Sequence, residues 1–269
     1  MKKYIQLLEK NGYVIIPNLL SKKKCEIFKE MLDKSYEKYA PKYANNENNN
    51  NLAKKTHEKV VFNLHNKNLK WFELFENKVI LSILDVVLRK GSYQNNEPYY
   101  LNNISARCPL NGNAGQDIHL DSNLPGVNYN IVTNVIWYFD DVNKKNGTTI
   151  LIPKSHKFKK YADNSKKIKN KLYINAKKGS VLVFNANMWH GGSKKNNDDS
   201  RWALVLGYAR WFIKPSFDYM HNTPKKIYNK MTDNQKSLLG FYHVPPKDEF
   251  TRLNRRSIKA EIPFDYTLI

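Results

Sequence analysis

Residues 128 to 141 read NYNIVTNVIWYFDD, a run rich in β-branched and aromatic side chains that ends at polar turn residues, as a strand does. Runs of the same texture recur on both sides: YYLNNISARC (99–108) and DIHLDS (117–122) before it, then GTTILIP (147–153), LYINA (172–176), GSVLVFNA (179–186) and RWALVLGYARWF (201–212) after it. Many short strands with few long helices between them predict antiparallel sheets. A double-stranded β-helix, the jelly-roll or cupin-like core, is the common solution.

The flanks read differently. YIQLLEK predicts a short helix ended near Gly12, and YVIIP a buried strand closed by Pro17. Ser21 is placed to cap a helix over KKKCEIFKEMLDKSYEKY, whose Cys25, Phe28, Met31 and Leu32 fall on one face. YANNENNNNLAKK (43–55) reads as a low-complexity polar loop. Helical patterns resume in LKWFELFE and in KVILSILDVVLRKG, with Gly91 as a stop, and again in KKIYNKMTDNQKSLLGF (225–241). The expectation is one mainly β domain with flanking helices over residues 1–269. It comprises a mostly helical N-terminal part (1–98), a jelly-roll core (99–215) and a C-terminal extension (216–269).

The 269 residues carry 45 Lys and Arg against 24 Asp and Glu, a formal net charge of +21. Such a charge suits a polyanionic partner. However, lysine, asparagine and isoleucine share AT-rich codons, and the basic residues are scattered rather than interleaved with aromatics along a groove, which favours a solvated surface over nucleic-acid binding. Cys25 and Cys108 belong to no C-x-x-C pair, so they read as two buried reduced thiols. Glu9, Lys10 and Asn11 interrupt the first apolar run, and no segment has the apolar length of a membrane span, so a cytoplasmic, soluble protein is expected.

Three signals carry chemistry. In DIHLDS, His119 and Asp121 stand two apart in a strand and so share a face, a weak signal alone. In GSVLVFNANMWHGGS, a glycine turn and a buried strand lead to His190, which alone reads better as a hydrogen-bonded loop histidine. Together, two imidazoles and a carboxylate match the facial triad of non-haem iron(II) oxygenases. The third signal is Arg201, which enters an apolar strand and must pair with an anion there. That anion is either a protein carboxylate such as Asp140 or the far carboxylate of 2-oxoglutarate. Arg210 has the opposite strand parity and should face away.

HLD, NGTTILIPKSHK, GSVLVFNANMWHGGS, the Arg201 spacing and the opening NGYVIIPNLLSKKKCEIF together resemble the phytanoyl-CoA dioxygenase family of iron(II)- and 2-oxoglutarate-dependent oxygenases. The likeness covers most of the chain and is least in residues 41 to 98. Lys154 stands where the family usually has the glycine of P-G-S-H. The resemblance implies that His119, Asp121 and His190 hold Fe(II), that 2-oxoglutarate chelates it, and that Arg201 clamps the cosubstrate's C5 carboxylate. It further implies that O2 is consumed and that succinate and CO2 are released as a small metabolite or acyl-type substrate is hydroxylated. Asp121 fills the position that related halogenases leave to a small residue, which disfavours halogenation. Asn134, then Asn103, which shares a strand face with Ser105 and Arg107, are the expected further 2-oxoglutarate contacts, and Gln116 adjoins the metal strand. Trp137, Tyr138, Trp189 and Trp202 read as packing residues.

Two alternatives stay open. An oxidative demethylase acting on nucleic acid would exploit the +21 charge, but such enzymes carry a longer His-to-Arg spacing and a close arginine pair. A catalytically silent ligand-binding barrel would lack a donor, whereas all donor positions here are filled. The expected partner is a small molecule, with an anionic one suited to the basic surface; nucleic acid and membrane are disfavoured.

Overall fold

The computed structural model describes residues 1–45, 57–93, 98–242 and 248–250. Helix α1 (Lys2–Asn11) stops where Gly12 turns to φ 86 and returns its N–H to Leu8 O. Strand β1 (Tyr13–Ile16) follows, and the Ser21 hydroxyl accepts the Lys24 N–H at the start of α2 (Lys22–Asn45). Then come β2 (Glu58–Phe62), the one-turn α3 (Phe72–Phe75) and α4 (Lys78–Arg89), whose first N–H groups are capped by Asn77. The strand β2 lies in a region expected to be mostly helical; it exists because Val60 and Val61 bury against the next strand rather than through any local periodicity. The expected polar loop at 43–55 lies almost wholly outside the described residues.

From there come β3 (Tyr99–Pro109), β4 (Gln116–His119), β5 (Val132–Tyr138), β6 (Thr149–Leu151), β7 (Leu172–Tyr173), β8 (Val181–Asn185), β9 (His190–Gly192) and β10 (Ala203–Arg210), all at expected runs except β9, a short strand where a loop was expected at His190. The helical tail comes as two short pieces, α5 (Lys225–Tyr228) and α6 (Asp233–Leu238), because a reciprocal Thr232–Gln235 capping box starts a new helix.

All named strand pairings are antiparallel, in two sheets: a wide one ordered β1-β8-β5-β10-β3-β2 and a narrow one ordered β4-β9-β6-β7. This is the expected mainly β jelly roll with flanking helices. The wide sheet is covered on both faces, and the strand period of two sorts its residues. Val135, Trp137, Val181 and Val183 join Phe28, Trp71 and Ile83 under the helices, while Ile136, Tyr138, Leu182 and Phe184 join Leu151 and Met188 between the sheets. The inter-sheet face turns polar at two rows. Asn134 and Asn103 flank Gly207, and Tyr138 and Arg107 flank Ala203. These rows meet the narrow sheet where β4 and β9 run side by side. Among the described residues, no helix is long and apolar enough to cross a membrane.

Candidate metal centre

His119, the last residue of β4, pairs in register with His190, the first of β9. The strands approach so closely that a Cβ on Gly191 would come within 2.6 Å of Gln116 O, which explains the glycine after His190. Asp121 was expected on the strand of His119, but β4 ends at His119. The chain then turns inward, with the Asp121 N–H donating to Ala186 O at 3.0 Å. A register shift inside β4 breaks simple alternation, and this turn, not strand parity, aims the carboxylate.

The result is a tight donor set. His119 Nε2 lies 3.4 Å from Asp121 Oδ1, His190 Nε2 lies 3.3 Å from Asp121 Oδ2, and one ligating atom from each residue lies within 4.8 Å of the others. Both imidazoles are oriented from behind: Nδ1 of His119 is 2.8 Å from Asp117 O, and Nδ1 of His190 is 3.0 Å from Met188 O. A carbonyl can only accept, so each Nδ1 carries a proton, and in the neutral ring Nε2 keeps the lone pair a metal would take. The Phe184 ring packs edge-on against His190 at 4.9 Å. Asn134 Nδ2 donates to Asp121 Oδ2 at 2.7 Å, so Asn134, expected at the cosubstrate, holds the carboxylate in place. Burial pushes the Asp121 carboxyl up, but the adjacent His190 and His119 outweigh it and hold it well below the usual carboxylate range. The same carboxylate raises His119. Two neutral-nitrogen donors and one carboxylate, with Nδ1 already satisfied, fit a first-row divalent metal with open positions. Among the described residues no other His, Cys, Asp or Glu group has this geometry.

The donors open onto a cavity of about 210 Å³ that Arg201, Asn103 and Asn134 also line. Arg201 is 7% exposed, and its Nε has no hydrogen-bond partner. Asp140, one of the two anions weighed for it, is engaged elsewhere, by Lys29 Nζ at 2.6 Å, the Trp202 N–H at 2.9 Å and Ser200 Oγ at 3.0 Å. Among the described residues no carboxylate lies within ion-pair distance of Arg201, and a buried guanidinium so placed is costly unless an anion arrives. Arg210 does face away, donating to Asn130 O and Lys90 O at 2.9 and 2.5 Å, so it is not paired with Arg201 at the cavity. Asn103 makes only a 3.4 Å contact to Ser105 Oγ and keeps its amide near the cavity.

One feature escaped the sequence reading. Glu58, from the unexpected β2, pairs with Arg107 at 2.8 Å on the cavity wall; the signal was the Val60-Val61-Phe62 run beside it. Lys154, in the family's glycine position, takes φ 66 and ψ 2, so the turn keeps the left-handed conformation a glycine would adopt freely. Trp137 and Trp202 are core residues, as expected.

The chain is similar to known proteins over most of its length. The family model described as Phytanoyl-CoA dioxygenase (PhyH) matches residues 8–203. Dioxygenase af480 of Aspergillus fumigatus is 25% identical over 244 residues, covering 88% of this chain and 76% of that protein. Dioxygenase cdmA of Talaromyces verruculosus is 22% identical, covering 88% and 82%. HygX from Streptomyces hygroscopicus, solved with nickel, 2-oxoglutarate and hygromycin B bound, has the same fold at TM-score 0.62 and 14% identity, covering 80% of this chain and 89% of that one. The epimerase SnoN, in complex with Fe3+, alpha ketoglutarate and nogalamycin RO, matches at TM-score 0.61 and 13% identity, covering 86% and 91%.

Proposed function

The chain belongs to the phytanoyl-CoA dioxygenase family, and from that premise we propose an Fe(II)- and 2-oxoglutarate-dependent oxygenase that hydroxylates a small metabolite, releasing succinate and CO2. The observation that carries this reading is the convergence, on one cavity, of a His119–Asp121–His190 donor set and a buried arginine that has no carboxylate partner among the described residues. The chemistry a bound iron supplies is the coupling of 2-oxoglutarate decarboxylation to dioxygen reduction.

The roles of the chain's own residues follow from their contacts. His119 and His190 bind metal through Nε2, with the ring orientation set by Asp117 O and Met188 O. Asp121 supplies the anionic donor, and Asn134 keeps one of its oxygens from rotating away. Arg201 binds the distal carboxylate of 2-oxoglutarate, its planar fork matching a bidentate acceptor. Ile136, Phe184 and Val205 give the cavity an apolar wall that limits water around the reacting atoms. Asn103 is within the same lining and is proposed as a further cosubstrate contact. Relatives solved with hygromycin B or nogalamycin RO bound support a small-molecule substrate.

The test is direct. The purified chain, given Fe(II), 2-oxoglutarate and air, should form succinate, and a true substrate should acquire one oxygen atom from isotopically labelled dioxygen. Succinate without label in an isomerised product would mean epimerisation instead of hydroxylation. No succinate, even across a panel of polar metabolites, would favour a silent barrel.

A further inference from the structure

Next to the metal cavity lies a second one, of about 390 Å³, which shares Gln116, Gly192 and Ser193 with it. The shared residues make the two spaces neighbours across the β4–β9 edge. Three lysines line the second cavity: Lys144, Lys171 and Lys194. They come from three separate segments, the β5–β6, β6–β7 and β9–β10 connections, so their meeting is a product of the fold and not of one lysine-rich run.

Their charges are unbalanced. Some surface lysines nearby are matched with carboxylates, as in Lys166–Asp163 and Lys177–Asp141, while others are not; what these three share is one cavity beside the metal donors. None of these three has a carboxylate within ion-pair distance among the described residues, and the one acidic residue lining the space is Asp117. Lys144 Nζ instead sits 4.8 Å from the centre of the Tyr173 ring. The Lys144 backbone is tied to the shared edge, its carbonyl accepting from Ser193 Oγ at 3.3 Å. Ile118 and Ile150 give the cavity an apolar floor.

We propose that this second cavity is a subsite for a phosphate-bearing part of the substrate, gripped by Lys144, Lys171 and Lys194 while the reacting carbon reaches past Gln116 toward the metal donors. The inference rests on the oxygenase reading and deepens it by assigning a substrate class. A doubly charged phosphate ester suits three lysines lining one cavity better than a single carboxylate does, and the apolar floor with Tyr173 accommodates the group that carries it.

The experiment is calorimetric titration of phenyl phosphate into the full chain loaded anaerobically with Fe(II) and 2-oxoglutarate. Benzoate and benzyl alcohol serve as singly charged and neutral comparators. The wild type should bind phenyl phosphate at least about tenfold more tightly than benzoate. The triple variant Lys144→Gln, Lys171→Gln, Lys194→Gln should lose about tenfold, while a charge-matched control, Lys22→Gln, Lys23→Gln, Lys225→Gln, loses less than about twofold. Equal losses in the two triples would reduce the effect to overall surface charge and overturn the proposal. So would equal affinity for benzoate, or no phenyl phosphate binding by the wild type. Because binding is read without turnover, these outcomes are separate from wild-type succinate formation, whose absence would count against the oxygenase reading alone.

Discussion

The two sheets differ in how they are held. In the wide sheet, all seven residues of β5 are buried, with helices on one face and the narrow sheet on the other. In the narrow sheet no strand exceeds four residues, and the side chains of His119 and Asp121 are each 41% exposed. The wide sheet is the rigid wall that presents Asn134, with Arg201 just ahead of its strand β10. The narrow sheet is an edge whose strand ends and the turn beyond them carry the proposed metal donors. Precision at that edge comes from a few contacts, chiefly the Asp121 N–H on Ala186 O, the Nδ1 bonds and the Asn134 amide, rather than from burial.

Substitutions on the two sides should therefore separate chemistry from stability. His119→Ala should lower iron-dependent succinate formation by about a thousandfold or more while the melting temperature shifts little, because the ring is half exposed. Trp137→Ala in the wide sheet should instead cost about 3–5 kcal/mol of stability, read by denaturant unfolding, since that ring is 1% exposed. A His119→Ala protein that kept full turnover would break the contrast.

Arginines on the two faces make the next comparison. Arg201→Ala should raise the 2-oxoglutarate requirement by roughly thirtyfold or more, the usual effect of removing one partner of a buried charged pair. Arg210→Ala should leave that requirement within about twofold and act on stability alone, because its partners are backbone carbonyls. Steady-state titration of 2-oxoglutarate distinguishes the two.

Histidines sharpen it further. His65, fully buried, has Nε2 bonded to Asn222 Oδ1 at 2.9 Å and faces no carboxylate among the described residues, and burial pushes its pKa down to about 3. Below about pH 6.5 the unfolded chain takes up a proton that the folded chain refuses, so the His65 contribution is intact above that pH. It is lost as pH falls toward about 3, at up to about 1.4 kcal/mol per pH unit. His65→Gln should flatten that part of the stability curve; an unchanged slope would assign it to other groups.

The smallest effect is expected at Lys154. Lys154→Gly removes a side chain from a left-handed position and should stabilise the fold by about 1 kcal/mol in chemical unfolding, with succinate formation unchanged.

Much of this was legible before any coordinates. The strands from residue 99 onward show in their β-branched runs, and the donors in HLD and in the His190 segment, since both signals are local. What was hidden is non-local. The edge strand β2 is defined by pairing with β3, and its Glu58 reaches the cavity only through that pairing. Asp121 is aimed by a turn beyond β4, and Asn134 meets it from the opposite sheet. The choice between Asp140 and a cosubstrate as the anion for Arg201 was likewise open in the sequence. The structure removes Asp140 from that choice, since it is held by Lys29 and the Trp202 N–H.

The most direct check of the donor assignment is iron stoichiometry by anaerobic equilibrium dialysis against Fe(II), comparing the wild type with Asp121→Ala. One ion per wild-type chain and far less than one in the variant is the predicted result. Equal occupancy in the two proteins, or none in the wild type, would contradict it.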